Sequence, residues 1–255
     1  MSGYGDFAAF YDVLTADVDY PAWAEYLLTL FSRHGGETAQ LLDLACGSGS
    51  LAAELTARGV DVIGVDGSAD MLAVAREKAT ESGQDILYLC QDMREWDLYG
   101  TADGAVCMLD SLNHVLSTRD LLEIFRRLGL FIAPDGLFVF DVNTPHKHAV
   151  TLADNTFVFE RPELMCVWRN RYFPRRGEVA MALDFFEQNP DGTYERYEDE
   201  VRERAYSLPT WKRLLEQTGF ELLAVYGERS FEAPKPDADR WVLVARNHAI
   251  GQKNG

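Results

Sequence analysis

Cysteine is scarce in this sequence, and none of the four cysteines is spaced as a C-x-x-C pair. Cys46, Cys90, Cys107 and Cys166 therefore predict neither a zinc site nor a dithiol redox motif. Three of the four lie in apolar runs typical of strands, where a buried reduced thiol is expected. His146 and His148 are separated by one residue, but no carboxylate or cysteine follows at ligand spacing. We interpret them as a histidine pair on a surface loop and expect no metal.

Long hydrophobic runs are also missing. No stretch approaches the roughly 18 consecutive apolar residues of a membrane helix, and residues 1–6 carry no basic region that leads into an apolar run. We therefore expect a cytoplasmic protein with no membrane partner and a flexible tail at residues 248–255. The sequence leaves monomer and homodimer equally open.

Basic residues are outnumbered, 24 against 41 acidic ones, which gives a formal net charge of −17. Nucleic-acid affinity rests largely on Lys and Arg side chains that neutralise phosphates. The negative net charge of the chain therefore disfavours DNA or RNA as a partner. A local basic patch would still permit it. The 255 residues, 47% of them hydrophobic, suffice for one large domain or for one domain that carries an insertion.

Strand-like and helix-like patterns alternate in the first half of the chain. Between most of the short apolar runs, apolar residues recur at helical spacing, as Met71, Leu72, Ala75 and Ala79 do. Ser68 precedes this segment and is its predicted N-cap. Strands that alternate with helices of 10–15 residues predict right-handed crossovers and a parallel sheet, hence an α/β fold. The predicted strands are residues 40–46 and 60–65 and three buried strands at 86–90, 105–109 and 137–142, and an amphipathic helix is predicted at 119–131.

The pattern changes after about residue 145. Residues 150–208 show almost no helical period, and β-rich runs alternate with turn sequences such as Asp191-Gly192. We predict an antiparallel sheet over residues 149–206, inserted into an α/β domain formed by residues 1–148 and 207–247. The second part of that domain is expected to be a helix at 209–219, then strands at 221–226 and 240–245. Because no helix separates these two strands, they predict an antiparallel pair at the end of the sheet.

A glycine-rich turn is the most informative local pattern. Gly47-x-Gly49-x-x-Ala52 follows the first strand and opens a helix, as dinucleotide-binding turns do. Asp66 ends the next strand, where a carboxylate can accept hydrogen bonds from ribose hydroxyls. Asp43 precedes the turn by four residues, and an anion there suits a ligand with an ammonium and a sulfonium better than a pyrophosphate. An equally good interpretation is that Asp43 accepts hydrogen bonds from backbone N–H groups of the loop.

Four segments together resemble the motifs of class I S-adenosylmethionine-dependent methyltransferases. They are residues 42–49, 65–72, 91–94 and 108–114, in the family's order and at its spacing over roughly residues 4–247. The chain is most similar to a branch with a β-sheet insertion, which includes aminosugar and glycine-type N-methyltransferases. The resemblance implies a Rossmann-like sheet, mostly parallel with an antiparallel last strand, and S-adenosylmethionine as cofactor.

The same resemblance implies roles for individual residues in cofactor binding. Gly47 and Gly49 would let the turn approach the amino acid end of the cofactor, and Asp66 would hold the ribose hydroxyls. Asp92 would accept from the adenine amine, while Met71 packs on the ring; helix core is the alternative for Met71, and a solvated carboxylate for Asp92. The expected cofactor residues are Tyr11, Asp43, Ala45, Gly47, Gly49, Asp66, Gly67, Met71, Asp92, Met93 and Leu109.

In the same family the N-terminal segment folds over the cofactor, and a tyrosine such as Tyr11 closes on it. Packing of the aromatic residues of this segment on the edge of the domain is the alternative. Methyl transfer needs alignment and exclusion of water more than acid catalysis, because the departing thioether is neutral. A base is required only if the acceptor must lose a proton. A catalytic triad is therefore not expected.

The ends of the fourth and fifth strands carry the candidates for a place near the methyl group. They are Asp110, Asn113, His114, Asp141, Asn143 and His146. His114 is the best base among them, with Asn113 and Tyr11 as further catalytic candidates; a structural hydrogen bond is the alternative for His114. In the inserted sheet Trp168 and Tyr172 could sandwich an acceptor, and an inward arginine such as Arg204 could bind a carboxylate. Ion pairing with the acidic run at 195–203 on a solvated face is the alternative for most of the arginines.

Three interpretations of function follow from the sequence. The first is methyl transfer to a small molecule by in-line displacement. The second is a methyltransferase that acts on tRNA, rRNA or a protein. The third comprises a non-catalytic cofactor-binding protein and a nicotinamide oxidoreductase.

Overall fold

A seven-stranded sheet forms the centre of the protein, which is described as a computed structural model over residues 5–248. The strand order is β10-β11-β5-β4-β1-β2-β3, and β11 alone runs opposite in direction to the other six strands. This confirms the predicted mostly parallel sheet with an antiparallel last strand. The strands are β1 (Gln40–Leu44), β2 (Asp61–Asp66), β3 (Leu87–Cys90), β4 (Ala102–Cys107), β5 (Ile132–Asn143), β10 (Phe220–Gly227) and β11 (Arg240–Asn247).

Helices cover both faces of this sheet, as short continuous apolar strands require. The six α-helices that the described chain contains are α1 (Gly5–Leu14), α2 (Tyr20–Arg33), α3 (Ser50–Thr56), α4 (Ala69–Glu81), α5 (Thr118–Phe131) and α6 (Leu208–Gln217). Apolar side chains of α5 and α6 pack on one face with Phe138 and Phe140. Those of α2, α3 and α4 pack on the other with Leu41 and Val139. Alternate residues of each strand thus enter opposite cores.

The inserted residues form a separate antiparallel sheet in the simple order β6-β7-β8-β9. Its strands are β6 (Thr156–Arg161), β7 (Leu164–Phe173), β8 (Glu178–Gln188) and β9 (Tyr194–Arg204). A π-helical segment, Lys147–Leu152, connects β5 to β6, and a short 3-10 helix, Ser111–His114, follows β4. The strands lie at the predicted places, but their ends differ from the predicted runs: β1 ends at Leu44 rather than at residue 46, whereas β5 begins at Ile132 rather than at residue 137.

Two parts of the fold differ from expectation. The run at 86–90 was predicted to be buried, yet Leu87 is 55% exposed and Cys90 is exposed, because β3 is an edge strand that pairs only with β2. Cys46, Cys107 and Cys166 are buried. Helix α2 was not predicted, although Asp19 caps it by accepting a hydrogen bond from the backbone N–H of Ala22 and Pro21 stands in its first turn.

None of the helices in the described range combines the length and apolar character that a membrane span requires. Of the tail expected to be flexible, residues 249–255 lie outside the described residues.

Candidate functional site

The carboxyl ends of β1, β2, β4 and β5 meet at one edge of the large sheet, and the backbone there adopts unusual conformations. Ala45, after β1, and Leu109 and Asp110, after β4, have left-handed φ angles of 60°, 57° and 55°. Such angles are uncommon for residues with a Cβ and cluster at functional sites. The predicted glycine turn follows β1, and Gly49 is the N-cap of α3 with a φ of 75°.

The two glycines of the turn are required for different reasons. A Cβ on Gly47 would meet only the ring of Tyr11, at 4.0 Å, so this glycine leaves room for a ligand beside the backbone. A Cβ on Gly49 would lie 2.4 Å from the Tyr88 hydroxyl and 2.9 Å from the Cβ of Ala75. Glycine at 49 is therefore explained by close helix packing, and Gly49 does not line the cavity described below.

Asp66, at the end of β2, holds the glycine turn in place. One carboxylate oxygen accepts from the backbone N–H of Gly47 at 2.9 Å, and the other accepts from that of Ser68 at 2.8 Å. Burial raises the pKa of Asp66, and these two hydrogen bonds act in the opposite direction. The same carboxylate faces the cavity, so its lone pairs also remain within reach of ligand hydroxyls.

Asp43 is buried in the sheet, at 2% exposure. Its Oδ2 has no hydrogen-bond partner among the residues that the structure describes. Burial, helped by the negative charge of Asp66, raises the pKa of Asp43 to about 8. A buried acceptor without a donor is destabilising by itself, which indicates a site adapted to a cationic or hydrogen-donating group nearby. Asp43 lines a small recess beside the turn rather than the main cavity.

A cavity of about 1100 Å³ lies over this edge, between the large sheet, α1 and the inserted sheet. Most of the residues expected from the sequence to bind the cofactor lie in its lining. These are Tyr11, Ala45, Gly47, Asp66, Gly67, Met71, Asp92, Met93 and Leu109. His114 and Trp168, expected from the sequence to serve the acceptor, lie in the same lining.

Helix α1 is held against the glycine turn by a polar cluster that the sequence did not indicate. The Lys78 ammonium donates to the Asp12 carboxylate at 2.9 Å and to the Ser50 hydroxyl at 2.7 Å, and the Ser48 hydroxyl donates to Asp12. This cluster joins α1, the turn and α4. Because α1 also lies beside the cavity through Tyr11, the arrangement agrees with a covering role for the N-terminal segment.

Helix α1 also packs on the inserted sheet. Phe10 stacks on Phe185 with ring centroids 5.3 Å apart and contacts Tyr197 at the same distance. Tyr11 points to the other side, into the cavity. Burial, together with Tyr20 and Asp110, raises the pKa of the Tyr11 phenol well above its usual value, so that it stays protonated at neutral pH.

Asp92 already has a partner at the far end of the cavity. Arg94 donates to it from its guanidinium and from its backbone N–H, the latter at 2.8 Å. These hydrogen bonds lower the pKa of Asp92. The sequence left a solvated carboxylate as the alternative for Asp92. In the structure this carboxylate is partly exposed and forms an ion pair with Arg94. Met71 and Met93 lie beside it in the lining, and Met71 is also part of the buried side of α4.

The opposite end of the cavity carries a charged group built on Arg240, the first residue of β11. Its guanidinium donates to Asp110 at 2.6 Å and also to the buried Asp141. Burial alone would raise the pKa of Asp110, but Arg240, with Lys147 and His114 nearby, lowers it below its usual range. Asp110 is therefore an anion fixed at the cavity wall, and Arg240 is fully engaged by carboxylates.

Glu203 lies inside the cavity wall although its strand is mostly solvated. Its Oε2 accepts from the Asn143 amide at 2.9 Å and contacts Nε2 of His148 at 3.1 Å. Its Oε1 lies 4.0 Å from Nε2 of His114. The hypothesis of a surface pair at His146 and His148 is wrong for His148, which is 0% exposed because the π-helical segment turns its ring inward to Glu203.

Four of the residues predicted to take part in catalysis or to bind the acceptor do not line the cavity, because their side chains are engaged elsewhere. Asn113 donates to the carbonyls of Asn143 and Arg204 and accepts from the N–H of Asn143, so it joins the two sheets. The Arg204 guanidinium donates to the carbonyl of Leu116 at 2.8 Å. Asn143 donates to Glu203, as described above, and Tyr172 packs beside Val179 and Met181. The expected direct acceptor contacts of these residues are thereby corrected.

Most other arginines of the inserted sheet pair with acids, as the solvated-face alternative held, though not always with the expected run. Arg202 pairs with Glu200. Arg169 and Arg196 both pair with Asp184 of β8. Glu203, on the inward face of β9, instead contacts Asn143 and His148.

Asp110, His114 and Glu203 bring one ligand atom each within 4.8 Å of one another, a spacing that a metal ion could use. Asp110 is already bound by Arg240, however, and Glu203 by Asn143 and His148. Because these carboxylates already have partners, the cluster is better suited to hydrogen bonds with an organic ligand than to coordination of a metal ion.

Sequence reasoning missed Arg240 and Glu203. A signal existed for Arg240, because the first residue of an antiparallel last strand must lie at the carboxyl edge of its parallel neighbours; it pairs in register with Asn143. No local signal existed for Glu203, since charged residues occupy both faces of β9.

Comparison with known proteins gives the family. Residues 41–136 match the model of the methyltransferase domain family. The protein named "Putative methyltransferase YqeM" from Bacillus subtilis (strain 168) is 30% identical over 244 residues, which cover 95% of this chain and 96% of that protein. This chain belongs to the S-adenosylmethionine-dependent methyltransferases. A crystal structure of a family member from Clostridium acetobutylicum superposes with a TM-score of 0.87 at 27% identity, covering 96% of this chain and 99% of that one.

The methyltransferase is also similar to an enzyme of stated substrate. Glycine/sarcosine N-methyltransferase of Halorhodospira halochloris is 26% identical over 231 residues, which cover 89% of this chain and 81% of the relative. The cofactor is S-adenosylmethionine, and the site fits it. The open side of Gly47 and the buried Oδ2 of Asp43 offer a cradle and an acceptor where a cationic ligand would lie.

Proposed function

We propose that this methyltransferase methylates a small-molecule acceptor by in-line displacement, with cofactor and acceptor held in the cavity of about 1100 Å³. The observation that carries the proposal is the position of the inserted sheet. Phe159, Trp168, Met181 and Leu183 of this sheet form an apolar wall opposite the carboxyl edge. The wall encloses a space suited to a small ligand rather than an open face for a macromolecule.

The cofactor end is proposed to lie along the glycine turn and β2. Asp66 would accept from the ribose hydroxyls, and the backbone at Ala45, Gly47 and Gly67 would line the amino acid end. Asp43 would compensate the cofactor's positive charge from beneath the turn. S-adenosylmethionine, when bound, supplies a methyl group on a positively charged sulfur.

The adenine end is proposed to lie between Met71 and Met93, next to Asp92. The backbone of Met93 would donate to the ring, while Asp92 would accept from the exocyclic amine. Because Arg94 already donates to Asp92, the amine would share this carboxylate with a guanidinium. Leu109 would pack between the cofactor and the acceptor.

The acceptor end is proposed to lie among Tyr11, His114 and Trp168. Tyr11 on α1 would cover the reacting groups and exclude water, and Trp168 would orient the acceptor against the apolar wall. His114 would take a proton where the acceptor must lose one, because its ring faces the cavity and is 34% exposed, which allows the proton to leave to solvent. Asn113 would act indirectly, by holding β5 against β9.

Turnover with pooled acceptors tests the proposal. The protein is incubated with S-adenosylmethionine and pools of small amines, alcohols and thiols, or with tRNA or bulk protein, and S-adenosylhomocysteine release is followed. We expect turnover with a small-molecule pool, reduced at least tenfold in His114→Gln and unchanged in His248→Gln, a control at an exposed histidine that follows β11. Methyl incorporation into tRNA or protein with no turnover of any small-molecule pool would overturn the proposal.

A further inference from the structure

The charge of the cavity lining narrows the class of acceptor. Among the described residues that line it, six carry carboxylates and two carry guanidinium groups: Asp66, Asp70, Asp92, Asp110, Asp120 and Glu203 against Arg94 and Arg240. Lysine is absent from this described lining. An anionic group that enters the cavity thus meets an excess of negative charge.

Neither guanidinium is free to receive an anion. Arg240 donates to Asp110 and Asp141 and lies 3.8 Å from Glu228, while only 11% of its side chain is exposed. Arg94 donates to both oxygens of Asp92. A phosphate or carboxylate on the acceptor would have to break one of these ion pairs, and breaking a partly buried pair leaves its carboxylate without a partner.

Glu203 places a further negative charge on the apolar wall. On the inward face of β9 it follows Val201 at the strand period of two, and Val201 and Met181 lie beside it in the lining. Its side chain is 4% exposed. Burial of a carboxylate among apolar groups is unfavourable unless the group is bound, and the hydrogen bonds of Glu203 given below reach only one of its two oxygens.

The contacts of Glu203 leave one oxygen for that ligand. Nδ1 of His148 lies 3.2 Å from the carbonyl of Gly177, so this side of the ring faces away from Glu203. Nε2 of the same ring and the Asn143 amide both contact Oε2 of Glu203. Oε1 is left toward His114 and the cavity.

We propose that the acceptor is a small amine that carries no phosphate or carboxylate, recognised as a cation by Glu203 and Asp110. The proposal rests on the proposed small-molecule function and defines its substrate class. It sets this methyltransferase apart from relatives such as the glycine/sarcosine enzyme, whose substrates, as named, carry a carboxylate.

The residues at the acceptor end can receive the proton that an amine must lose before its nitrogen is methylated. The ammonium of the acceptor gives one proton to His114, which passes it to solvent, and the freed nitrogen lone pair forms the N–C bond. The C–S bond breaks, and its electron pair stays on the sulfur, which becomes neutral. The methylated nitrogen is again a cation, so Glu203 and Asp110 stabilise both the bound acceptor and the charge that returns to nitrogen as the bond forms.

Matched pairs of amines test the proposal. Methylamine is compared with glycine, 2-phenylethylamine with phenylalanine, and ethanolamine with phosphoethanolamine, by kcat/KM for S-adenosylhomocysteine release. We expect each anion-free member that reacts to exceed its anionic partner by about tenfold or more, the effect of one like charge in a partly desolvated site.

Substitutions of Glu203 and Asp110 test whether these two carboxylates cause the preference for amines without an anionic group. Glu203→Gln is expected to raise KM for the amines about tenfold and to shrink the ratio within each pair, with S-adenosylmethionine affinity unchanged. Glu200→Gln, on the exposed face of the same strand and 59% exposed, is the matched control and should change neither. Asp110→Asn keeps the contacts of His148 intact, so it tests the proposal even if Glu203→Gln fails to fold.

Three outcomes overturn the inference. Turnover of the anionic members equal to or better than their partners would do so and leave the small-molecule proposal standing. Turnover of no member of any pair, together with methylation of tRNA or protein, would refute both. If the kcat/KM ratio within each pair stayed unchanged in both Glu203→Gln and Asp110→Asn, these two carboxylates would not be responsible for selecting the acceptor by its charge.

Discussion

Asp66 accepts a hydrogen bond from the backbone N–H of Gly47 at 2.9 Å, across nineteen residues of sequence. The proposed ribose acceptor therefore also fixes the glycine turn at the other end of the proposed cofactor site. Removal of this carboxylate affects both ends together.

The first prediction concerns that carboxylate. Asp66→Ala should weaken S-adenosylmethionine binding by about 1.5–3 kcal/mol, the range for a lost hydrogen bond to a charged group. Titration calorimetry measures the affinity, and Asp61→Ala, an exposed carboxylate at the start of the same strand, serves as control. An affinity equal to that of the unchanged protein would remove Asp66 from the site.

The second prediction concerns the pH dependence of stability. Burial raises the pKa of Asp43 from 3.8 to about 8, so between these values the folded protein holds a proton that the unfolded chain releases. Stability is therefore lost at this site as pH rises from about 4 to about 8. In the ligand-free protein, Asp43→Asn should gain unfolding free energy relative to the unchanged protein over that interval.

Denaturant unfolding at pH 5 and pH 8 measures this difference, and only the change between the two pH values is used. A constant cost of the buried amide cancels in that comparison. Asp85→Asn, an exposed carboxylate ahead of β3, should show no such change. Parallel stability curves for Asp43→Asn and the unchanged protein would contradict the assigned pKa shift.

The third prediction concerns the polar cluster that holds α1. Lys78→Met removes the ammonium that joins Asp12 to Ser50 and should release the N-terminal helix from the turn. Affinity for S-adenosylmethionine is expected to fall about two- to fivefold, in the range of a partly exposed ion pair. Lys212→Met, which removes a surface pair on α6, is the control. An increase in proteolytic cleavage near α1 in Lys78→Met but not in the control would show the same release directly.

The fourth prediction concerns the proposed domain division. Joining residue 148 to residue 207 should leave a folded domain that binds S-adenosylmethionine but transfers no methyl group, because the apolar wall and Glu203 are removed. Trp168→Ala in the full chain should likewise keep cofactor binding and reduce turnover. A shortened chain that no longer unfolds cooperatively would show that the inserted sheet stabilises the whole fold, for example through Phe10 and Phe185.

The alternation of strands and helices, the glycine turn and the position of Asp66 could be predicted because each depends on short-range periodicity or on a fixed step along a βαβ unit. Ser68 as an N-cap and the antiparallel final pair followed from the same local rules. Their physical causes act within a few residues of each other, so the sequence by itself determined them.

Tertiary structure alone decided which groups meet across the cavity. Glu203 lies in a strand of alternating charges, and only the docking of the inserted sheet turns it toward His148 and His114. Arg240 meets Asp110 from 130 residues away. Such contacts depend on how two sheets pack, a long-range property that no local pattern encodes, and they set the charge that the acceptor meets.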